Sequence, residues 1–259
     1  MSYSAGEIAG FIGAAAWVPQ LIRMGIRHFA KPKIAVLIGP KAEIGFTSFG
    51  PIFNLRLIFS AERQDVVINQ LTISLTHENG NKRMFGWQGS RETFSQMRDA
   101  SGTAVGSFDR DTDASAFKVT TQSVYDSFFR FQELNFIDEK EPYFNALIEH
   151  ESFLRASGSG SQMGLLQSEQ MHRLNKFHRN AFWWEAGKYT AEIQISGLSR
   201  FSVTRFRYEF HLTSLAVEAL RNNIESIPTS YEYALLSGTE GFDKLEPSWN
   251  WQNPAIRAC

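Results

Sequence analysis

VINQLTISLTHENGNKRMFGW, residues 67–87, decides the fold. Val67, Leu71, Ile73 and Leu75 alternate with Gln70, Thr72, Ser74 and Thr76, the period-two pattern of a strand with one face against a core. Glu78-Asn79-Gly80-Asn81 follows, and Asn-Gly is the pair that supplies the two positive φ angles of a type I′ hairpin turn. Lys82 to Trp87 is then the return strand. An antiparallel hairpin is predicted.

The same alternation extends outward on both sides. Upstream, Ile34 to Ile38 is a short apolar run ended by the turn pair Gly39-Pro40. Phe53, Leu55, Leu57 and Phe59 alternate with Asn54 and Arg56 after Gly50-Pro51. Downstream, Tyr189, Ala191, Ile193 and Ile195 alternate with Thr190, Glu192 and Gln194. A turn around Gly197 leads to Phe206, Tyr208, Phe210 and Leu212, alternating with Arg207, Glu209 and His211. The expected class is therefore mainly β with an α insertion: an antiparallel β-sandwich over residues 32–228, interrupted at about 90–185.

Ala186-Gly187-Lys188-Tyr189 resembles the Gly-x-Tyr entry to the penultimate strand of immunoglobulin-like sandwiches. In that superfold a tyrosine hydroxyl bonds back to the backbone at the corner, which the resemblance implies for Tyr189. Ala191 stands where immunoglobulins proper carry a cysteine. The likeness covers residues 33–89 and 186–213 and implies no function, because fold and activity separate freely.

Within the insertion, 90–121 is rich in Ser, Asp, Thr and Gly and reads as an extended loop. Phe128, Phe129, Phe131, Leu134, Phe136 and Ile137 suggest a helix, and a second follows Pro142 with Phe144, Leu147, Ile148 and Glu151. Ala156 to Ser161 is a flexible linker, 163–180 another helix. A final helix over 214–226 stops before Pro228, leaving 229–259 as an irregular tail.

Ahead of the β region, residues 1–31 are expected to form a separate apolar helix. Ile8 to Ile22 (IAGFIGAAAWVPQLI) holds no charge and lies between Glu7 and Arg23. It is short beside the ~20 residues a spanning helix needs. Arg23, Arg27, Lys31 and Lys33 follow, so an inserted segment would leave the rest of the chain at the cytoplasmic face. Gly6, Gly10 and Ala14 give one helix face a small-residue stripe that a partner helix could approach. Three readings stand: a membrane anchor through residues 8–26, a helix docked on a protein partner, or a helix covering the chain's own core. The contact residues in the first two are Phe11, Ile12, Trp17, Leu21, Arg23, Arg27 and Lys31.

Composition narrows the function classes. The 259 residues carry 26 Lys+Arg against 27 Asp+Glu, and a nucleic-acid binder would need a basic surplus to neutralise phosphates. The one cysteine is Cys259, so neither an intrachain disulfide nor a cysteine metal site can form. Asp109, Asp111 and Asp113 open a calcium-loop spacing, but Ala114 and Thr120 occupy the glycine and glutamate positions. His150-Glu151 begins a zinc-protease signature that Leu154 breaks. Ser115-x-x-Lys118 is followed by strand formers, and Gly158, Gly160 and Gly164 lack dinucleotide spacing. No catalytic, cofactor-binding or metal residue is assigned.

One basic-aromatic segment stands out. Arg173, Lys176 and Arg179 are interleaved with Met171, Leu174 and Phe177 and run into Trp183-Trp184. Such a helix could lie on lipid headgroups or a nucleic-acid backbone, or pack its apolar face on the core with its charges in water. The sequence points to a non-catalytic binding, scaffold or sensor module at the cytoplasmic face of a membrane, with a protein partner. The alternatives are an accessory subunit docked through the N-terminal helix, or an enzyme whose site gathers dispersed residues such as His150, Glu151 and His178. The partner and the oligomeric state are not encoded in any motif.

Overall fold

The computed structural model describes residues 17–20, 22, 25, 31–98, 100–157, 162–204, 206–237 and 245–259. Its strands are β1 (Lys33–Thr47), β2 (Gly50–Glu62), β3 (Val66–His77), β4 (Lys82–Arg98), β5 (Ala104–Asp113), β6 (Phe117–Val119), β7 (Tyr125–Glu133), β8 (Gly187–Gly197), β9 (Ser202–Thr204), β10 (Arg207–Leu212) and β11 (Ile256–Ala258). The helices are α1 (Phe136–Ala156), α2 (Gln162–Leu166), α3 (Glu169–Ala181), α4 (Ser214–Asn222) and α5 (Ile227–Leu236), with a 3₁₀ turn at Asn223–Ser226.

One hydrogen-bonded ladder runs β11-β10-β8-β3-β4-β7-β2-β1-β9, with β5 branching onto β4 and β6 onto β3. The sheet is mixed because β9 lies parallel to the start of β1. It also curls until its ends meet. Lys41 bridges Ala255 and Ile44 bridges Gln252. Across that seam Ala42 N–H reaches the Pro254 carbonyl at 3.1 Å, and Ile44 and Gln252 exchange bonds of 2.8 and 2.9 Å. The mainly β class with helices is thus present. Its finer form, two facing immunoglobulin-like sheets, is not established by a ladder that runs unbroken from β11 to β9.

The inward alternation seen in the sequence fills the curl. Val36, Phe53, Leu55, Phe59, Ile73, Leu75, Tyr189, Ala191 and Phe210 are all buried in one cluster. Tyr189 stacks on Phe210 at 5.0 Å with planes 2° apart, and Phe210 stacks on Phe53 at 5.3 Å. Burial of this aromatic surface is the main stabilising term, since each fully buried large apolar side chain contributes roughly 1.5–3 kcal/mol.

The hairpin turn differs from the expected type I′. His77 and Asn81 pair through His77 N–H to the Asn81 carbonyl, and Gly80 N–H closes onto the His77 carbonyl at 2.9 Å. Gly80 alone in the turn has positive φ, +92°. The loop is therefore three residues with a left-handed glycine, the next commonest hairpin solution. Asn79 and Asn81 both donate to the Glu185 carboxylate at the tip of this turn. Glu185 in turn belongs to the Tyr189 corner, where the Tyr189 hydroxyl donates to the Glu185 carbonyl at 3.0 Å and accepts its N–H at 2.8 Å.

The insertion departs further from expectation. Residues 90–121 are not an extended loop: β4 continues to Arg98 and pairs with β5 from Gly89↔Asp113 to Arg98↔Ala104. A hairpin of polar sequence carries no apolar alternation, so its backbone pairing left no signal. Tyr125–Glu133 is a strand rather than a helix. Ser127, Phe129 and Phe131 point inward at period two, and pairing to β2 on one side and β4 on the other outweighs the helical spacing of the phenylalanines. α1 begins at Phe136 and runs through Pro142 without breaking. The 163–180 segment holds two helices, α2 and α3. The last 31 residues are not simply irregular, since α5 reaches Leu236, 252–255 seals the seam, and β11 pairs with β10.

Candidate functional site

A cleft of about 340 Å³ opens on the outer face of the sheet, where β1, β2, β4 and β7 lie side by side. Its origin is local. Phe53, Leu55 and Phe129 turn into the core, so Ile52, Asn54, Phe128 and Arg130 must face outward. β4 carries a bulge at Gln88, between the pairs Trp87↔Phe131 and Gly89↔Arg130. Bulges re-aim side chains, and this one brings Gln88 and Arg91 to the rim beside Arg130. Phe49 from the β1–β2 turn and Trp251 from the closing segment supply apolar walls.

The polar groups are held in place. Asn54, buried, donates through Nδ2 to Glu43 Oε1 at 2.9 Å and accepts the Phe131 N–H at 3.3 Å. Gln132 donates its side-chain amide to the Phe49 carbonyl. Asp111 on β5 takes Arg91 Nε on one oxygen at 3.0 Å and Arg130 Nη1 on the other at 3.1 Å. The Arg91 bond, and then the charges of both arginines, hold the Asp111 carboxyl below the usual carboxylate range. Arg130 Nε is buried without a hydrogen-bond partner among the described residues. Its guanidinium lies against Gly89, where a Cβ would fall 2.9 Å from Nη2 and 2.5 Å from the Thr112 carbonyl oxygen. The result is a cleft basic at the β4–β7 end, acidic at Glu43 and aromatic between.

A second polar cluster lies inside the molecule. His178 on α3, fully buried, has Nδ1 2.9 Å from the Leu174 carbonyl and Nε2 3.3 Å from the Tyr231 hydroxyl. Tyr231 donates to the Ser48 carbonyl at 3.0 Å, and Lys140 Nζ approaches that same carbonyl at 3.4 Å beneath the rings of Phe49, Phe144 and Tyr231. Burial lowers the His178 pKa to about 4, lowers that of Lys140 and raises that of Tyr231. These contacts end on the backbone of the β1–β2 turn, so the cluster clamps that turn to the helices.

No family model and no curated protein matches the chain.

The predicted contact residues are scattered. Phe11, Ile12, Leu21, Arg23 and Arg27 lie outside the described residues, while Trp17 and Ile22 are helical and 64% and 56% exposed. Lys31 is exposed, and its carbonyl accepts from Arg63. Among the described residues no helix is long and apolar enough to cross a membrane. Arg173, Lys176 and Arg179 share the exposed side of α3, with Arg173 on Glu169 and Arg179 on Glu225. Trp183 and Trp184 do not join them. Both are buried in the core, with Trp184 Nε1 donating to the Gly45 carbonyl at 3.1 Å. A basic-aromatic lipid or nucleic-acid surface is therefore not assembled there. His150 and Glu151 sit on α1, where Glu151 is bonded to Arg155, while His178 on α3 is bonded to Leu174, Ser48 and Tyr231. No group of three metal-ligating side chains occurs among the described residues.

Sequence reasoning missed the cleft. Its residues come from five separate segments, and only the outward positions of Asn54 and Arg130 could have been read, once 125–133 is taken as a strand.

Proposed function

We propose that this chain is a non-catalytic binding module whose cleft takes a peptide-like ligand. Its carboxylate would face Arg91 and Arg130, its backbone N–H would face Glu43, and an apolar side chain would lie on Phe128 and Trp251. The observation that carries this reading is the pair of arginines sharing Asp111 at one end of an aromatic cleft whose other end is Glu43. Guanidinium groups recognise carboxylates by planar, charge-assisted bonds, and apolar walls strengthen them by excluding water. The groups most strongly shifted in pKa, His178 and Tyr231, lie elsewhere and bond to backbone, so chemistry at the cleft has no acid–base pair to run on.

Titration with N-acetyl-L-phenylalanine, followed by isothermal calorimetry and protein NMR, tests the reading. The free acid should bind and the corresponding amide should bind tenfold more weakly or not at all, since a bond to a charged group contributes roughly 1.5–3 kcal/mol. Equal binding of acid and amide, or unchanged binding by Arg130→Gln, would overturn it.

A second reading concerns attachment. The exposure of Trp17, Val18 and Ile22 supports docking of residues 8–26 onto a membrane at its cytoplasmic face or onto a protein partner. Fractionation of the full chain beside a version starting at Lys31 tests this. Retention of only the full chain in a salt- and alkali-washed membrane pellet supports an anchor, and solubility of both supports a docking helix.

A further inference from the structure

Where β7 gives way to α1, beside Arg83 at the start of β4, lies a separate cavity of about 410 Å³. Its walls include Glu133 at the end of β7, Arg83 on β4, Glu139, Phe136 and Tyr143 on α1, and Phe177 on α3. The rings form a continuous surface. Phe136 lies 5.2 Å from Phe177, and Phe177 stacks on Tyr143 at 5.1 Å with planes 24° apart.

The charges beside that surface are unbalanced. Glu133 is only 5% exposed, and Arg83 Nη1 stands 3.5 Å from its Oε1. Burial, and then the neighbouring Glu139 charge, raise the Glu133 carboxyl, against the opposing effects of Arg83 and the Asn135 N–H. One guanidinium thus faces two carboxylates, one of them desolvated. A desolvated carboxylate is costly unless fully paired. Aromatic faces attract cations through their quadrupoles, most of all bulky, weakly hydrated ammonium groups. A metal ion suits the cavity poorly, because two carboxylates give too few ligands for the usual oxygen-bound cations.

We propose that this cavity binds a methylated ammonium group, held over the Tyr143–Phe177 stack with its charge toward Glu133 and Glu139. The cation adds the positive charge that the two carboxylates lack, and its methyl groups cover the rings. This site is independent of the Arg91–Arg130 cleft and does not rest on the peptide reading.

The test compares choline with 3,3-dimethylbutan-1-ol, which has the same shape without the charge, in the full chain at matched ionic strength. Choline should shift the ring resonances of Tyr143 and Phe177 saturably, and the alcohol should not at the same concentration. Glu133→Gln should weaken choline binding tenfold or more. Tyr143→Ala, at a more exposed position, should also weaken it and serves where Glu133→Gln proves unstable. Equal binding of the two probes, no saturable shift with choline, or wild-type choline affinity in both variants would overturn the proposal. The indole N–H resonance of Trp251 should stay unchanged by choline, which separates this site from the cleft.

Discussion

The Tyr208 hydroxyl donates to the Val36 carbonyl at 2.9 Å, joining β10 to β1 between residues 172 positions apart in sequence. Those two strands lie on either side of the closing segment, so the bond ties the seam from within while 252–255 ties it along the ladder. A buried tyrosine needs a partner for its hydroxyl, and here the partner is the strand that the curl must meet.

Tyr208→Phe should therefore destabilise the protein by about 1 kcal/mol, the typical net worth of one intramolecular hydrogen bond. Denaturant unfolding measures it. Removal of residues 250–259 should cost more, because it strips the Ala42–Pro254 and Ile44–Gln252 bonds together with β11. The two changes should be coupled: in the truncated chain, Tyr208→Phe should cost less than in the full one. Full additivity would mean that the hydroxyl contributes nothing to closure.

Gly45 gives a second test of the seam. A Cβ there would lie 2.3 Å from Trp251 Cζ3, so the indole covers a position that only glycine leaves bare. Gly45→Ala should displace Trp251 and destabilise by about 1–3 kcal/mol, the usual cost of forced overpacking. Tryptophan fluorescence should change in Gly45→Ala but not when the same substitution is made in a Trp251→Phe background. Because Trp251 also walls the cleft, N-acetyl-phenylalanine should bind the Ala variant more weakly.

The strands that alternate apolar and polar residues against a single core were legible, as β2, β3, β8 and β10 attest. So was the Tyr189 corner, whose hydroxyl makes the expected backbone bonds. What was not legible shares a physical cause. β5 and the outer half of β4 are polar in sequence, and the ladder between them is a backbone property that side-chain patterning does not report. In β7, Phe128, Phe129 and Phe131 fit either period, and only the neighbouring strands decide. The tryptophans after α3 fit either an exposed belt or the core by spacing alone, and the structure decides for the core: the chain leaves the helix at Phe182 and both indoles are buried. The cleft depends on a bulge at Gln88 and a three-residue contact among Arg91, Asp111 and Arg130, which no spacing along the chain foreshadows.

Asp111 competes with any ligand carboxylate for the same two arginines. Asp111→Asn should then tighten binding of N-acetyl-phenylalanine severalfold at low ionic strength, while Arg130→Gln weakens it. Both effects should shrink at high salt, since the ion pairs are partly exposed. Weaker binding in Asp111→Asn would instead show that the aspartate orients the arginines more than it occupies them. Calorimetry at two salt concentrations separates the two roles.

His178 makes stability depend on pH in a defined direction. Burial lowers its pKa to about 4, with the Lys140 charge adding and the bonds to the Leu174 and Ser48 carbonyls opposing. An unfolded histidine titrates near 6.5, so between pH 6.5 and 4 the unfolded chain binds a proton that the folded chain refuses. The stability contributed by neutral His178 is full above pH 6.5 and is lost as pH falls through this window, by roughly 3 kcal/mol in total at 1.36 kcal/mol per pH unit. Glu133, whose carboxyl is raised by burial, acts in the opposite sense, because its neutral form suits the folded state as pH falls. The comparison that isolates the histidine is therefore wild type against His178→Gln, each unfolded by denaturant from pH 4.5 to 7.5. The variant should be less stable at pH 7, having lost the bond of the neutral imidazole to the Leu174 carbonyl, yet the gap should narrow steadily below pH 6.5. A gap that stays constant with pH would mean that the folded protein admits the imidazolium, and that the β1–β2 turn is not closed over it as tightly as the Ser48, Tyr231 and Lys140 contacts require.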